Sequence, residues 1–307
     1  MGSTEVVKPW VLELSTTPGH LVRRAQQVHT SYWAEELNGA LTGPQYAVLV
    51  VLAGWPRISQ TRLGELASLD KNTAADILVR LEKRGWVERV RDHADGRRRV
   101  LQLTAVAVRQ LEAVTPAAAK VQERLLRPLL EDERPRFVSR LARVAFQQRA
   151  VGGYDPRSSA GPVLALPATP GYLIRRTERV QGELWNAEVG AGLTAPQYAV
   201  LVVVAVGGDV DQRHVGELAS LDRSSTADVV ARLEREGWLR RTHDPSDGRR
   251  RLLDLTSPAR VALEHVTPKV ARVQDRLLEP LSADERNAFV VQLAQIAYRG
   301  TPPPRIA

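Results

Sequence analysis

The stretch ELASLDKNTAADILVRLEKRGWVERVRDHADGRRRVLQLT, Glu65–Thr104, decides the fold. TRLGELASL reads as a short helix. Asp70 stands where it caps the next one, KNTAADILVRLEKRG, which stops at Gly85. Two short helices joined by a tight turn read as a helix-turn-helix. WVERVR and RRRVLQLT then flank HADG, with Asp95-Gly96 in the turn of a β-hairpin. A helix-turn-helix followed by a basic hairpin is a winged helix.

The chain writes this stretch twice. Glu217–Thr256 reads ELASLDRSSTADVVARLEREGWLRRTHDPSDGRRRLLDLT. TGPQYAVLVVLA at Thr42–Ala53 returns as TAPQYAVLVVVA at Thr194–Ala205. The offset is constant and ungapped from Val11/Val163 to Phe146/Tyr298, and about half the positions are identical. The period is far too long for a solenoid. Homodimers present two identical patches to symmetric targets, so a chain that is its own second copy reads as a dimer made covalent.

The flanking segments are helical. LVRRAQQVHTSYWAEEL follows Pro18-Gly19 with Leu21, Ala25, Val28, Tyr32 and Leu37 near helical spacing. Thr42 and Pro44 form a cap-and-proline start for PQYAVLVVLA, which is apolar nearly all round and so reads as a buried helix. A long helix from Thr104 through Leu126 and another from about Glu131 to Gln147 complete the copy. The fold class is mainly α with small β-wings, arranged as two winged helix-turn-helix lobes joined through a helical pseudo-dimer interface. Repeat one occupies 1–150, the Gly/Ser/Pro-rich VGGYDPRSSAGP marks a linker at 151–162, and repeat two occupies 163–307. The tail TPPPRIA is expected to be extended or disordered.

The length of 307 residues suits two domains. No apolar run reaches the ~20 residues of a membrane span, and the first residues lack the pattern of a secretory signal. The expected location is the cytoplasm, with which the absence of cysteine agrees. That absence also excludes disulfides and thiolate metal sites. A net charge of +8, carried mostly by Arg, favours a polyanionic partner, although bulk Arg also follows from a GC-rich genome.

The paired stretches resemble the MarR family of bacterial regulators: ELA, a polar helix start, RLE-x-x-G, an Arg, D-x-x-D-x-R and a closing LT. The resemblance spans nearly all of each repeat. It implies terminal helices that make a dimer interface and two winged helices that enter successive major grooves. Here both lobes lie on one chain, which implies an intrachain interface and a monomer acting as a pseudo-dimer.

Double-stranded DNA is therefore the expected partner. A recognition helix offers its first residues to base edges: Lys71, Asn72 and Thr73 in repeat one, Arg223, Ser224, Ser225 and Thr226 in repeat two. Asn pairs with adenine and Arg or Lys with guanine; the same polar residues also serve simply as helix caps. Arg80 and Arg232 lie later and suit phosphates. The wings carry Arg97-Arg98-Arg99 and Arg249-Arg250-Arg251. Strand alternation turns at most two of each trio toward DNA. By resemblance, Arg97 and Arg249 enter the minor groove, oriented by Asp95 and Asp247. KNTA differs from RSST, so the expected operator is an imperfect inverted repeat with half-sites about one turn apart.

The resemblance also implies a small aromatic or drug-like ligand held between the helical region and the winged helix. Candidates are His20, Arg24, Tyr32, Trp33 and Tyr46, and in repeat two Tyr172, Arg176, Trp185 and Tyr198. Core packing is the competing reading, above all for Tyr46 and Tyr198. The expected function is a sequence-specific transcriptional regulator, a repressor released by such a ligand. The alternatives are a protein that sequesters an antibiotic and has lost specific DNA recognition, and a nonspecific chromosome binder. The chain shows no nucleophile elbow, phosphate loop or H-E-x-x-H motif, so no catalytic residue or cofactor is assigned. The six histidines never recur in the other copy, and no metal site is assigned.

Overall fold

A computed structural model describes residues 10–92, 97, 99–147, 163–208, 210–243 and 250–304. The linker 151–162 lies outside them. Helix α1 (Pro18–Leu37) leads into α2 (Gly43–Gly54), whose start is a reciprocal cap. The Thr42 side chain accepts from the Gln45 N–H, and the Gln45 side chain accepts from the Thr42 N–H, just ahead of Pro44. α2 is buried along almost its whole length, as its all-round apolar sequence requires. Helices α3 (Gln60–Ala67) and α4 (Lys71–Lys83) make the helix-turn-helix, with Ser68 in the left-handed region at φ +56° between them. Strands β1 (Val87–Arg91) and β2 (Arg99–Leu103) pair antiparallel, with Val87 opposite Leu103 and Arg91 opposite Arg99. Helices α5 (Ala105–Leu126) and α6 (Arg134–Phe146) follow.

The second copy repeats this order: α7 (Pro170–Glu188), α8 (Ala195–Gly207), β3 (Val210–Asp211), α9 (Gln212–Ala219), α10 (Arg223–Arg235), β4 (Leu239–His243), β5 (Arg251–Leu255), α11 (Ser257–Leu277) and α12 (Ala283–Ala297). Strand β3 was not expected. It adds to β5 and makes a three-stranded sheet in the order β3-β5-β4. Repeat one has only a single bridge there, Ile58 opposite Leu101.

The chain packs as two compact units, and these are not the sequence repeats. One is Met1–Arg24 with Val180–Ala307; the other is Ala25–Arg179. Each joins the body of one repeat to the leading segment of the other. The division falls inside α1 and inside α7. In the first unit, Val11 and Leu14 enter a core built from α8, α9, α10 and α11 residues such as Val200, Leu201, Val215, Leu233 and Val273. There the Leu12 N–H donates to the Tyr198 hydroxyl (3.4 Å) and the Gly19 N–H to Gln274 Oε1 (2.8 Å). In the second unit the same bonds recur with the repeats exchanged: Leu164 N–H to Tyr46 hydroxyl (3.3 Å) and Gly171 N–H to Gln122 Oε1 (2.9 Å). The boundaries 1–150 and 163–307 thus describe the duplication rather than the packing. Leading apolar residues bury where a core accepts them, and each repeat's core takes the other's.

Candidate functional site

Asp70 fixes the start of α4. Its Oδ1 accepts from the N–H groups of Asn72 and Thr73, both at 3.0 Å, and its Oδ2 takes the Thr73 hydroxyl at 2.5 Å. Asp222 does the same for α10, accepting from the Ser225 N–H (2.9 Å) and hydroxyl (2.6 Å). These bonds, the hydroxyl donors first, hold both carboxyls below the usual carboxylate range. The hydroxyls of Thr73 and Ser225 therefore serve the caps. Lys71, Asn72, Arg223 and Ser224 are exposed at the two helix starts.

Thr226 is corrected. It is 2% exposed, its hydroxyl donates to the Asp222 carbonyl (2.7 Å), and it packs on Gly216 of α9. Repeat one has the equally buried Ala74 at this place. Thr226 is an inward-facing contact between the two helices, not a readout residue.

Arg80 is exposed on α4, and Arg232 is exposed and bonds Glu236 (2.9 Å). On the wings, Arg97 and Arg99 are exposed, as are Arg250 and Arg251. Arg250 pairs with Asp211 at 3.0 Å, which ties one member of the second trio to the start of α9. Asp95, Arg98, Asp247 and Arg249 lie outside the described residues. Two arginines that the sequence reading passed over anchor the hairpins. Arg89 bonds Glu82 (2.6 Å) and Gln60 (3.2 Å), and Arg241 bonds Glu234 (2.7 Å) and Gln212 (2.9 Å). Each clamps its wing to both helices of its helix-turn-helix.

The ligand candidates divide in two. Trp33, Tyr46, Trp185 and Tyr198 are buried with satisfied polar atoms. Trp33 donates to His29 Nε2 (2.7 Å) and Trp185 to the Leu193 carbonyl (2.7 Å), while the tyrosine hydroxyls meet Thr115 (3.0 Å) and Thr267 (3.1 Å). Tyr32 lies under the Arg124 guanidinium, 4.2 Å from its ring centre. These five are core residues, and their packing reading prevails.

The other four sit with further polar residues at the C-terminal ends of α3 and α9. In the Ala25–Arg179 unit, the Tyr172 hydroxyl donates to the Leu66 carbonyl (2.9 Å), Arg175 to Ala67 (2.9 Å) and Arg179 to Leu69 (3.0 Å). Arg176 donates to the Ala145 carbonyl (3.0 Å) and covers the Phe146 ring. Cations at carbonyl ends complement the helix dipole. In the other unit, Arg23 donates to the Ala219 carbonyl (2.8 Å), and Arg24 to Ser220 Oγ (3.0 Å) and the Ala297 carbonyl (3.1 Å). His20 Nε2 meets Ser220 Oγ (3.2 Å), and its Nδ1 meets Arg23 (3.2 Å). Burial, then the Arg23 and Arg24 charges, push the His20 pKa well below 6.5. Arg23, Arg175, Arg179, Ser68 and Ser220 were missed. The doubled Arg-Arg in LVRRAQ and LIRRTE was the available signal.

Residues 41–98 and 191–250 each match the MarR family, and these spans hold α2 through β1 and α8 through β4. The transcriptional regulator HosA of Escherichia coli O157:H7 is 43% identical over 119 residues, covering 39% of this chain and 87% of its own length. The chain belongs to the MarR family. The HTH-type transcriptional repressor NicR of Pseudomonas putida is a further relative, 31% identical over 117 residues, which cover 38% of this chain and 74% of NicR. Among solved structures, the PcaV transcriptional regulator from Streptomyces coelicolor, in complex with its natural ligand, shares 42% identity. That likeness covers 42% of this chain and 92% of PcaV, at a TM-score of 0.40. HosA corresponds in length to one repeat, and the two family matches mean that this chain carries the winged helix of a transcription regulator twice. Among the described residues, no helix is long and apolar enough to cross a membrane.

Proposed function

We propose that the protein is a single-chain pseudo-dimeric repressor that binds an imperfect inverted repeat in double-stranded DNA and is released by a small aromatic acid. The observation that carries this reading is the duplication itself. Each repeat builds a capped recognition helix with exposed first residues, and each unit borrows its leading segment from the other repeat. One chain then supplies what a homodimer supplies with two. The starts Lys71-Asn72 and Arg223-Ser224 differ, so the half-sites differ. Release requires a ligand that binds better to the state that misfits DNA. Arg175, half-buried beside Ser68, offers a carboxylate partner for it.

The test is binding of the purified chain to its own upstream intergenic DNA against scrambled DNA at physiological salt. The expected result is a preference of about a thousandfold or more at one chain per site. Equal weak binding to both would move the reading to sequestration of a small molecule. Steep salt dependence without sequence preference would indicate nonspecific DNA binding.

A further inference from the structure

The two serines that end α3 and α9 occupy matching places, both in the left-handed region, at φ +56° for Ser68 and +54° for Ser220. Their surroundings differ. Ser220 Oγ is engaged twice, by His20 Nε2 and by Arg24. Ser68 Oγ is buried and has no hydrogen-bond partner. One difference between the repeats lies beside each serine. Where repeat one has His20, repeat two has Tyr172, whose longer side chain carries its hydroxyl past the serine to the Leu66 carbonyl. Arg176, the counterpart of Arg24, keeps the matching bond to the Ala145 carbonyl, as Arg24 bonds Ala297, but makes none to Ser68. Nothing replaces the two lost bonds.

The same site holds a second buried donor, one that the other site also has in Arg23, so the difference between the sites rests on the serine. Arg175 is half-buried as a residue, but its Nε is fully buried and has no partner. Its terminal nitrogen donates to Ala67, the residue next to Ser68. The Glu178 carboxylate, on the same helix, acts on this guanidinium by charge. Burial pulls its pKa down to about 10. An unmade buried hydrogen bond is costly.

We infer that the two ligand sites are unequal: the Ser68–Arg175 site takes one carboxylate per chain, while the Ser220 site, whose serine hydroxyl His20 and Arg24 already engage, takes none. This rests on the reading of the protein as responsive to an organic acid. An incoming carboxylate accepts the Ser68 hydroxyl and the Arg175 Nε–H together, supplying the acceptors this site lacks. At the other site the Ser220 hydroxyl is already engaged by His20 Nε2 and Arg24.

Isothermal titration of the full chain with benzoate and hydroxybenzoates tests this. The expected stoichiometry is one per chain. Ser68→Ala and Arg175→Lys weaken binding about tenfold or more, and Ser220→Ala leaves it unchanged. Tyr172→His, which installs the residue of the closed site, lowers affinity while the chain keeps its far-ultraviolet circular dichroism. Two ligands per chain, or equal losses from Ser68→Ala and Ser220→Ala, overturn the inequality and leave the organic-acid reading standing. No heat with any acid, while the chain still binds its own upstream DNA, overturns both.

Discussion

At the residue scale, His29 shows how burial converts one side chain into a pH liability. Trp33 donates to its Nε2, so the ring proton sits on Nδ1, which is buried without a partner. Gly171 lies so close that a Cβ there would fall 2.0 Å from Nε2. Burial lowers the His29 pKa from 6.5 to about 3. The folded state resists a proton that the unfolded chain accepts below about 6.5. The contribution to stability is therefore present above that pH and is lost as pH falls toward 3. Linkage gives a loss on the order of 1 kcal/mol per pH unit in that window. His29→Gln adopts the residue at the matching place, Gln181, and removes the titration. Urea midpoints at pH 7.5 and 5 should differ less for this variant than for the parent, the remainder coming from His20. An unchanged difference would mean that His29 takes no part. Repetition made part of this legible: His29 facing Gln181 marks a position that differs between copies. The contact with Gly171 was not legible, because it comes from a segment of the other repeat that periodicity alone does not bring there.

At the element scale the helix-turn-helix is set by close approach. Gly216 lies where a Cβ would stand 2.5 Å from Thr226 Oγ1, whereas at Gly64 it would meet only Ala74 Cβ at 3.7 Å and the Leu69 carbonyl at 3.3 Å. Gly216→Ala should cost about 1–3 kcal/mol through overpacking. Adding Thr226→Ala, which installs the residue that repeat one has against Gly64, should recover most of it; thermal melts of the single and double variants check this. A double variant no better than the single would place the clash elsewhere. The wing makes a second prediction. Arg97→Ala should weaken DNA binding and reduce the salt slope by about one, read by titration at several salt concentrations. The caps at Asp70 and Asp222, the hairpins and the buried α2 and α8 were all legible, because capping, turn and periodicity signals are local. Strand β3 was not. Only two residues long, it exists because β5 offers an edge to Val210-Asp211, and the same edge in repeat one meets a lone bridge at Ile58. Thr226 was misplaced for a related reason. A polar residue at a helix start looks like a reader until its partner Ala74 shows that the position faces inward.

At the scale of the whole molecule, the exchange of leading segments decides which pieces fold. The Ala25–Arg179 unit takes Leu166, Tyr172, Leu173 and Ile174 from repeat two, each 5% exposed or less. At about 1.5–3 kcal/mol per large apolar side chain, their removal costs on the order of 10 kcal/mol, comparable to the whole stability of many domains. Residues 1–150 expressed alone lack that segment but keep their own Val11–Arg24. Two such copies can each lend it to the other, as the two repeats lend theirs within this chain. Light scattering should therefore find 1–150 as a homodimer or as an unfolded chain, and the full protein as a monomer. Co-expressed 1–150 and 151–307 should recover a one-to-one complex with the stability of the full chain. A folded, monomeric 1–150 with undiminished stability would show that the borrowed segment contributes nothing. The covalent duplication would then be a tether between self-sufficient domains rather than part of each unit's core.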